Sequence, residues 1–240
     1  MIEKIKNEVK LLMSTGDDGH GFDHIERVYN LAMTLADKEQ AHPKIVALAA
    51  LLHDVDDYKL FGEKNAAGLL NARRIMGAYP LSDEVVDRVC NIIQSMGYSK
   101  ALKGIRPQTI EGKVVSDADM LDAMGATGII RNLAYTVTRK ERHQIFEPEY
   151  FPKESLSSEE YKQKGRIGDN FINHYFEKIF KLKNMMMTAA GYEEASRRHQ
   201  IMVDFMRAFF EEQGRDDWLA YLENYERENA KVPLQIRRIA

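Results

Sequence analysis

The sequence predicts an all-α protein, on three observations. Apolar residues recur at three- and four-residue spacing in successive stretches, helix-start and helix-stop residues fall between those stretches, and there is no convincing two-residue alternation of a half-buried strand and no internal repeat. With 240 residues, 44% of them hydrophobic and 30% charged, the chain has the composition of a globular protein able to bury a substantial core.

Ile25, Val28, Tyr29, Ala32, Leu35 and Ala36 set an amphipathic helix over about residues 22–38. Pro43 suits the first turn of the next helix, which carries the apolar run Ile45–Leu52 into His53, because proline's missing N–H costs nothing there. A helical stretch is expected over about 63–76, broken by Gly77 and Pro80. Ser82 is placed to cap a helix over 83–96 that has Asp83 and Glu84 in its first turn. Residues 97–107 read as a loop holding Lys100, Lys103 and Arg106, and the string from Lys113 to Asp122 leads into a helix through Ile129, Ile130, Leu133 and Val137. From 140 to 168, Pro148, Pro152, Gly165 and Gly168 punctuate a polar segment around Tyr150 and Phe151. It reads as irregular and lid-like, with capping-box spacing between Ser157 and Glu160. Helices follow over about 169–188 and 193–212, and Met185-Met186-Met187 reads as core filling. The expected organisation is one domain over 1–215 and a solvated helical tail over 216–240. Phe205, Phe209, Phe210, Trp218 and Tyr221 could seal a homodimer or cover the core.

A net charge of −3 gives no electrostatic reason to expect a nucleic acid duplex or a membrane surface as partner. No run approaches membrane-spanning length and the start, Met1 to Lys6, lacks the apolar core of a signal peptide, so a cytoplasmic protein is expected. The single cysteine, Cys90, lies in an apolar string and reads as a buried, inert thiol.

Chemistry concentrates where apolar runs end in polar clusters. After Leu52 come His53, Asp54, Asp56 and Asp57. On a continuing helix Asp57 would lie one turn beyond His53 and converge with it and Asp54, while Asp56 would point away to solvent. Two readings compete with it: a C-terminal cap with solvated acids, or a core histidine bonded to a backbone carbonyl. The second cluster is Asp117-Ala118-Asp119-Met120-Leu121-Asp122, with a helix N-terminal cap as the alternative for Asp117. The segment Gly19-His20-Gly21-Phe22-Asp23-His24-Ile25-Glu26-Arg27-Val28 supplies two histidines and an arginine, and Asn173-His174 one more histidine. His42, His143 and His199 read as surface residues.

In this order and spacing, His24-Ile25-Glu26-Arg27-Val28, Leu51-Leu52-His53-Asp54 and Asp117 to Ala126 resemble the HD-domain superfamily of metal-dependent phosphohydrolases, in particular its small stand-alone bacterial branch. The resemblance covers about residues 15–210 and implies a compact multi-helix HD-domain bundle. It places His24, His53, Asp54 and Asp119 on the family's metal-ligand positions. Two imidazoles and two carboxylates suit one divalent ion, with Mn, Fe, Ni, Co, Zn and Mg not distinguished by ligand softness. Members with two or three metals carry further histidines after the His-Asp pair, whereas this chain has none from 54 to 142 and shows Gln94-Ser95 where related members carry one. One metal, rather than a di-iron oxygenase centre, is therefore expected.

The implied activity is hydrolysis of a phosphomonoester or phosphodiester bond, plausibly in a nucleotide, by a metal-activated water. Asp57 stands where mononuclear members carry an acid and would be the general base. Arg27 is either an anion clamp or a structural arginine paired with an acid of the cluster. His20 is a further catalytic candidate; Asp122 and His174 are candidates to bind substrate, and Asp122 could instead orient a ligand from behind. The alternative function is a catalytically idle nucleotide-binding or sensor protein on the same scaffold.

Overall fold

The computed structural model describes residues 1–14, 21–138, 144–153 and 167–230, and among them there are helices and no strand. The chain divides into two units, Met1–Asp122 and Ala123–Ala240. The sequence expectation, one domain over 1–215 and a tail from 216, draws its boundary elsewhere.

In the first unit α1 is Ile2–Leu12, α2 Phe22–Lys38, α3 Pro43–Leu52, α4 Tyr58–Gly68, α5 Leu70–Gly77, α6 Asp83–Ser95, α7 Tyr98–Ala101 and α8 Ile110–Asp122. Helix α3 is the centre. It is apolar on every side, every residue from Ile45 to Leu52 is buried, and it packs on α1, α2, α6 and α8. A helix hydrophobic all round is stable only when covered all round. Each of Leu48, Leu51 and Leu52 contributes about 1.5–3 kcal/mol by leaving water.

Several boundaries differ from the sequence reading for local reasons. The helix expected over 63–76 is two helices, because Leu69 takes the left-handed conformation at φ 49° and ends α4. Asp56 was read as solvated but is 4% exposed. Its carboxylate accepts the amide N–H groups of Asn71 and Ala72 at 2.9 Å each, capping α5 from the far side of α4 in the sequence. Ser82 stands at the start of α6 without a side-chain capping bond, and the 97–107 loop contains the short helix α7. The string expected to lead into a helix is itself α8, with Asp117 fully buried in it rather than capping it.

In the second unit α9 is Gly125–Thr138, α10 Phe171–Glu177, a 3₁₀ helix covers Ile179–Met185, α11 is Ala189–Glu212 and α12 Asp216–Asn229. Lys178, at φ −139° and ψ −60°, breaks the helix expected over 169–188. Thr188 caps α11 by accepting the Gly191 amide at 3.0 Å.

The tail is not a solvated appendage. Trp218 and Leu222 on α12 are fully buried; Trp218 stacks on Phe151 with centroids 4.6 Å apart and donates its indole N–H to the Pro148 carbonyl at 3.2 Å. Phe210 and Trp218 thus serve the core of this unit. His199, expected on the surface, is 3% exposed and its Nε2 lies 2.7 Å from Glu226 Oε1. Met186 and Met187 are core, as expected, and so is Cys90 in the first unit. Within the expected irregular segment, Ser157, Glu160 and most of its length lie outside the described residues, as does His143.

Candidate metal centre

Three helices of the first unit deliver the site. His24 lies in the first turn of α2, His53 at the C-terminal end of α3, and Asp119 and Asp122 in the last turns of α8, with Asp54 following His53. Helices α2, α3 and α8 pack on one another, so the apolar faces that bury these helices also bring their polar ends together.

The two imidazoles face each other, Nε2 to Nε2, at 3.2 Å. His53 Nδ1 is 2.8 Å from the Ala50 carbonyl and His24 Nδ1 is 2.7 Å from Asp122 Oδ2. A carbonyl and an ionised carboxylate only accept, so both Nδ1 atoms carry hydrogen, and a ring with no second proton turns its Nε2 lone pair toward the other ring. That arrangement is repulsive without a positive charge to share. Asp54 Oδ2 lies 3.5 Å from His24 Nε2 and 3.6 Å from His53 Nε2; Asp119 Oδ1 lies 3.5 and 3.9 Å from the same atoms. Ligands about 2.0–2.2 Å from a common divalent ion stand roughly 3–3.5 Å apart when adjacent; the separations from His24 meet that range and those from His53 to the carboxylates are slightly wider. Among the described residues, His24, His53 and Asp119 form one group whose ligand atoms all lie within 4.8 Å of one another and could hold a metal.

Burial is graded across the cluster. The His24 and His53 side chains are 4% and 3% exposed, whereas Asp54 is 18% and Asp119 27%, so the carboxylates lie on the accessible side. Burial, the largest single influence on His24, disfavours its charged form. Hydrogen bonds to Asp119 and Asp122 and the charges of Asp119 and Asp54 outweigh it and hold the pKa up at about 9. In this environment a proton supplies the positive charge that the opposed nitrogens demand.

The remaining candidates are distributed differently from the sequence reading. Asp57 is not one helical turn beyond His53, because α3 stops at Leu52. It stands at the N-cap of α4, its Oδ1 accepting the Lys59 amide at 2.8 Å. Asp122 is 2% exposed behind His24, not among the accessible groups expected of a substrate ligand. Arg27 is paired with an acid of the cluster: Nε donates to Asp122 Oδ1 at 2.8 Å and Nη2 to Oδ2 at 3.1 Å, and its side chain stays 39% exposed. His174 is half-buried on α10 of the second unit, while the cluster is built from the first. His20 lies outside the described residues. Lys100 donates to the Ile93 carbonyl at 3.3 Å, and burial lowers its pKa. The bond from buried His53 to a backbone carbonyl is one of the two alternatives weighed for this stretch, and the structure identifies the carbonyl as that of Ala50.

Residues 21–124 match the HD domain family. The chain is also 32% identical over 206 residues to YpgQ of Bacillus subtilis (strain 168), covering 85% of this chain and 90% of YpgQ. The chain belongs to the HD-domain superfamily. Its fold matches a crystal structure from Lactobacillus plantarum with a TM-score of 0.73 at 33% identity, covering 90% of this chain and 97% of that one. It matches an HD-superfamily hydrolase from Bacillus thuringiensis at 0.68 and 31%, covering 89% and 96%. YpgQ crystallised in complex with ADP matches at 0.65 and 28%, covering 88% and 97%. Among the described residues no helix is long and apolar enough to cross a membrane.

Proposed function

We propose that this HD-domain protein is a metal-dependent phosphohydrolase that cleaves a phosphomonoester or phosphodiester bond in a nucleotide. The observation that carries the reading is the pair of opposed Nε2 atoms, 3.2 Å apart and each locked from its far side, beside two partly exposed carboxylates. His24, His53, Asp54 and Asp119 would hold one divalent ion, which when bound would supply Lewis-acid polarisation of a phosphoryl oxygen and a more acidic water. The buried histidines hold their side of the site rigid and dry. The carboxylates face the direction from which an ester arrives. Arg27 commits two of its N–H groups to Asp122, and its side chain stays 39% exposed, so its other donors serve a phosphate oxygen. The ADP bound by the relative YpgQ supports a nucleotide as the substrate class.

A panel of nucleotides and other phosphate esters, assayed with Mn, Mg, Co and Ni, tests this in wild type and Asp54→Ala. Turnover in the wild type alone is the expected result; equal turnover in both proteins, or none in either, removes the reading. The base role for Asp57 competes with its capping bond, and Asp57→Asn separates the two, because asparagine caps as well as aspartate but accepts no proton. A loss of about 10²–10⁴ in turnover at unchanged stability identifies the base. That capping role also favours the second reading, an idle nucleotide sensor, which predicts thermal stabilisation by ADP without hydrolysis.

A further inference from the structure

Helices α2 and α8 meet at the site in two rungs. His24 and Arg27 lie one turn apart on α2, Asp119 and Asp122 one turn apart on α8. One rung faces the cluster, His24 Nε2 to Asp119 Oδ1 at 3.5 Å. The other lies behind it, Arg27 gripping both oxygens of Asp122 at 2.8 and 3.1 Å, and the diagonal from Asp122 Oδ2 to His24 Nδ1 at 2.7 Å joins the two.

A neutral imidazole can carry its hydrogen on either nitrogen, and only the Nδ1–H tautomer of His24 offers a ligand lone pair at Nε2. Asp122 is buried, accepts only, and so selects that tautomer while fixing the ring plane. Asp122 is in turn held by the planar fork of Arg27, which admits one carboxylate orientation. His53 differs: its Nδ1 is held by the Ala50 backbone carbonyl, which no side-chain change removes. The His24 arm is the one that side chains set.

We propose that Asp122 and Arg27 are positioning residues, Asp122 setting the tautomer and orientation of His24 and Arg27 setting Asp122, so that the cluster's grip on a divalent ion is governed by an ion pair behind it. This rests on the metal-dependent reading above. Both residues act through His24, so their effects do not add.

Calorimetric titration of EDTA-stripped full-length protein with Mn²⁺ and Zn²⁺ tests this in wild type, Asp122→Asn, Arg27→Gln and the double variant, with circular dichroism as the folding control. The expected result is wild-type binding, affinity 10–100-fold weaker in Asp122→Asn, a smaller loss in Arg27→Gln, and a double variant no weaker than Asp122→Asn. In the Zn²⁺-loaded wild type, long-range ¹H–¹⁵N spectra of labelled histidine show the His24 proton on Nδ1, and Asp122→Asn loses that single-tautomer signature. Wild-type affinity in Asp122→Asn overturns the proposal, and additive losses in the double variant overturn the link through Arg27; in either case the metal reading stands. No metal uptake by the wild type removes that reading and this proposal together. If Asp122→Asn fails to fold, Arg27→Gln, altered at a part-exposed side chain, decides alone: weaker metal binding supports the proposal and unchanged binding overturns it.

Discussion

The carboxylates around His24 favour a proton at the same Nε2 lone pair that a divalent ion would take, and the competition has a definite sign. In the metal-free protein its pKa is raised to about 9 from the ordinary 6.5 of an unfolded chain. The stabilisation it contributes is therefore complete below pH 6.5 and is lost as pH rises through about 9. Urea melts in EDTA are expected to show falling stability across that window, and His24→Gln is expected to flatten the fall. With Mn²⁺ present the ion competes with the proton, so affinity is expected to strengthen as pH rises toward 9, with proton release measurable by titration in buffers of different ionisation enthalpy. At this scale the ligand types were legible in the sequence, because His-Asp and Asp-Ala-Asp strings state their chemistry. A backbone carbonyl for His53 and a supporting role for Asp122 were open alternatives there, but that Ala50 and Asp122 hold the two Nδ1 atoms was not legible, since Asp122 lies 98 positions from His24 along the chain.

Helix α3 shows why element boundaries were partly legible. Its apolar run and Pro43 announce its span, and the structure returns Pro43–Leu52. Leu51→Ala, at a fully buried position, is expected to cost about 2–5 kcal/mol in chemical denaturation. Its exit was not legible, because whether His53 to Asp57 continues a helix depends on what waits beyond it. The amides of Asn71 and Ala72, without carbonyl partners in the first turn of α5, draw in Asp56, and the Lys59 amide draws in Asp57. Asp56→Ala leaves those α5 donors unsatisfied and is expected to cost about 1–3 kcal/mol by the same measurement. Helix α8 starts earlier than the sequence suggests: Asp117, a cap candidate by its position before an apolar run, is fully buried in the middle of the helix.

On the whole-molecule scale all four proposed ligands belong to the first unit, while the chain's only tryptophan lies in the second. Saturating metal at about 100 times its Kd adds about 2.7 kcal/mol to whatever unfolds with the site, expected as a rise in the melting temperature followed by circular dichroism. In the second unit Trp218→Ala is expected to cost about 3–5 kcal/mol, and truncation after Gln213 to destabilise the unit, where a solvated tail would have been removable. The charged pattern of 216–229 hid this, since two buried residues suffice to anchor a helix whose other faces are wet. What the sequence by itself determined is the helical class and the order of the proposed metal ligands, because periodicity and ligand chemistry are local properties. Only the tertiary structure decided that Asp122 and Arg27 stand behind His24, that Asp56 and Asp57 cap helices and that α12 is core, because each depends on atoms brought together by packing.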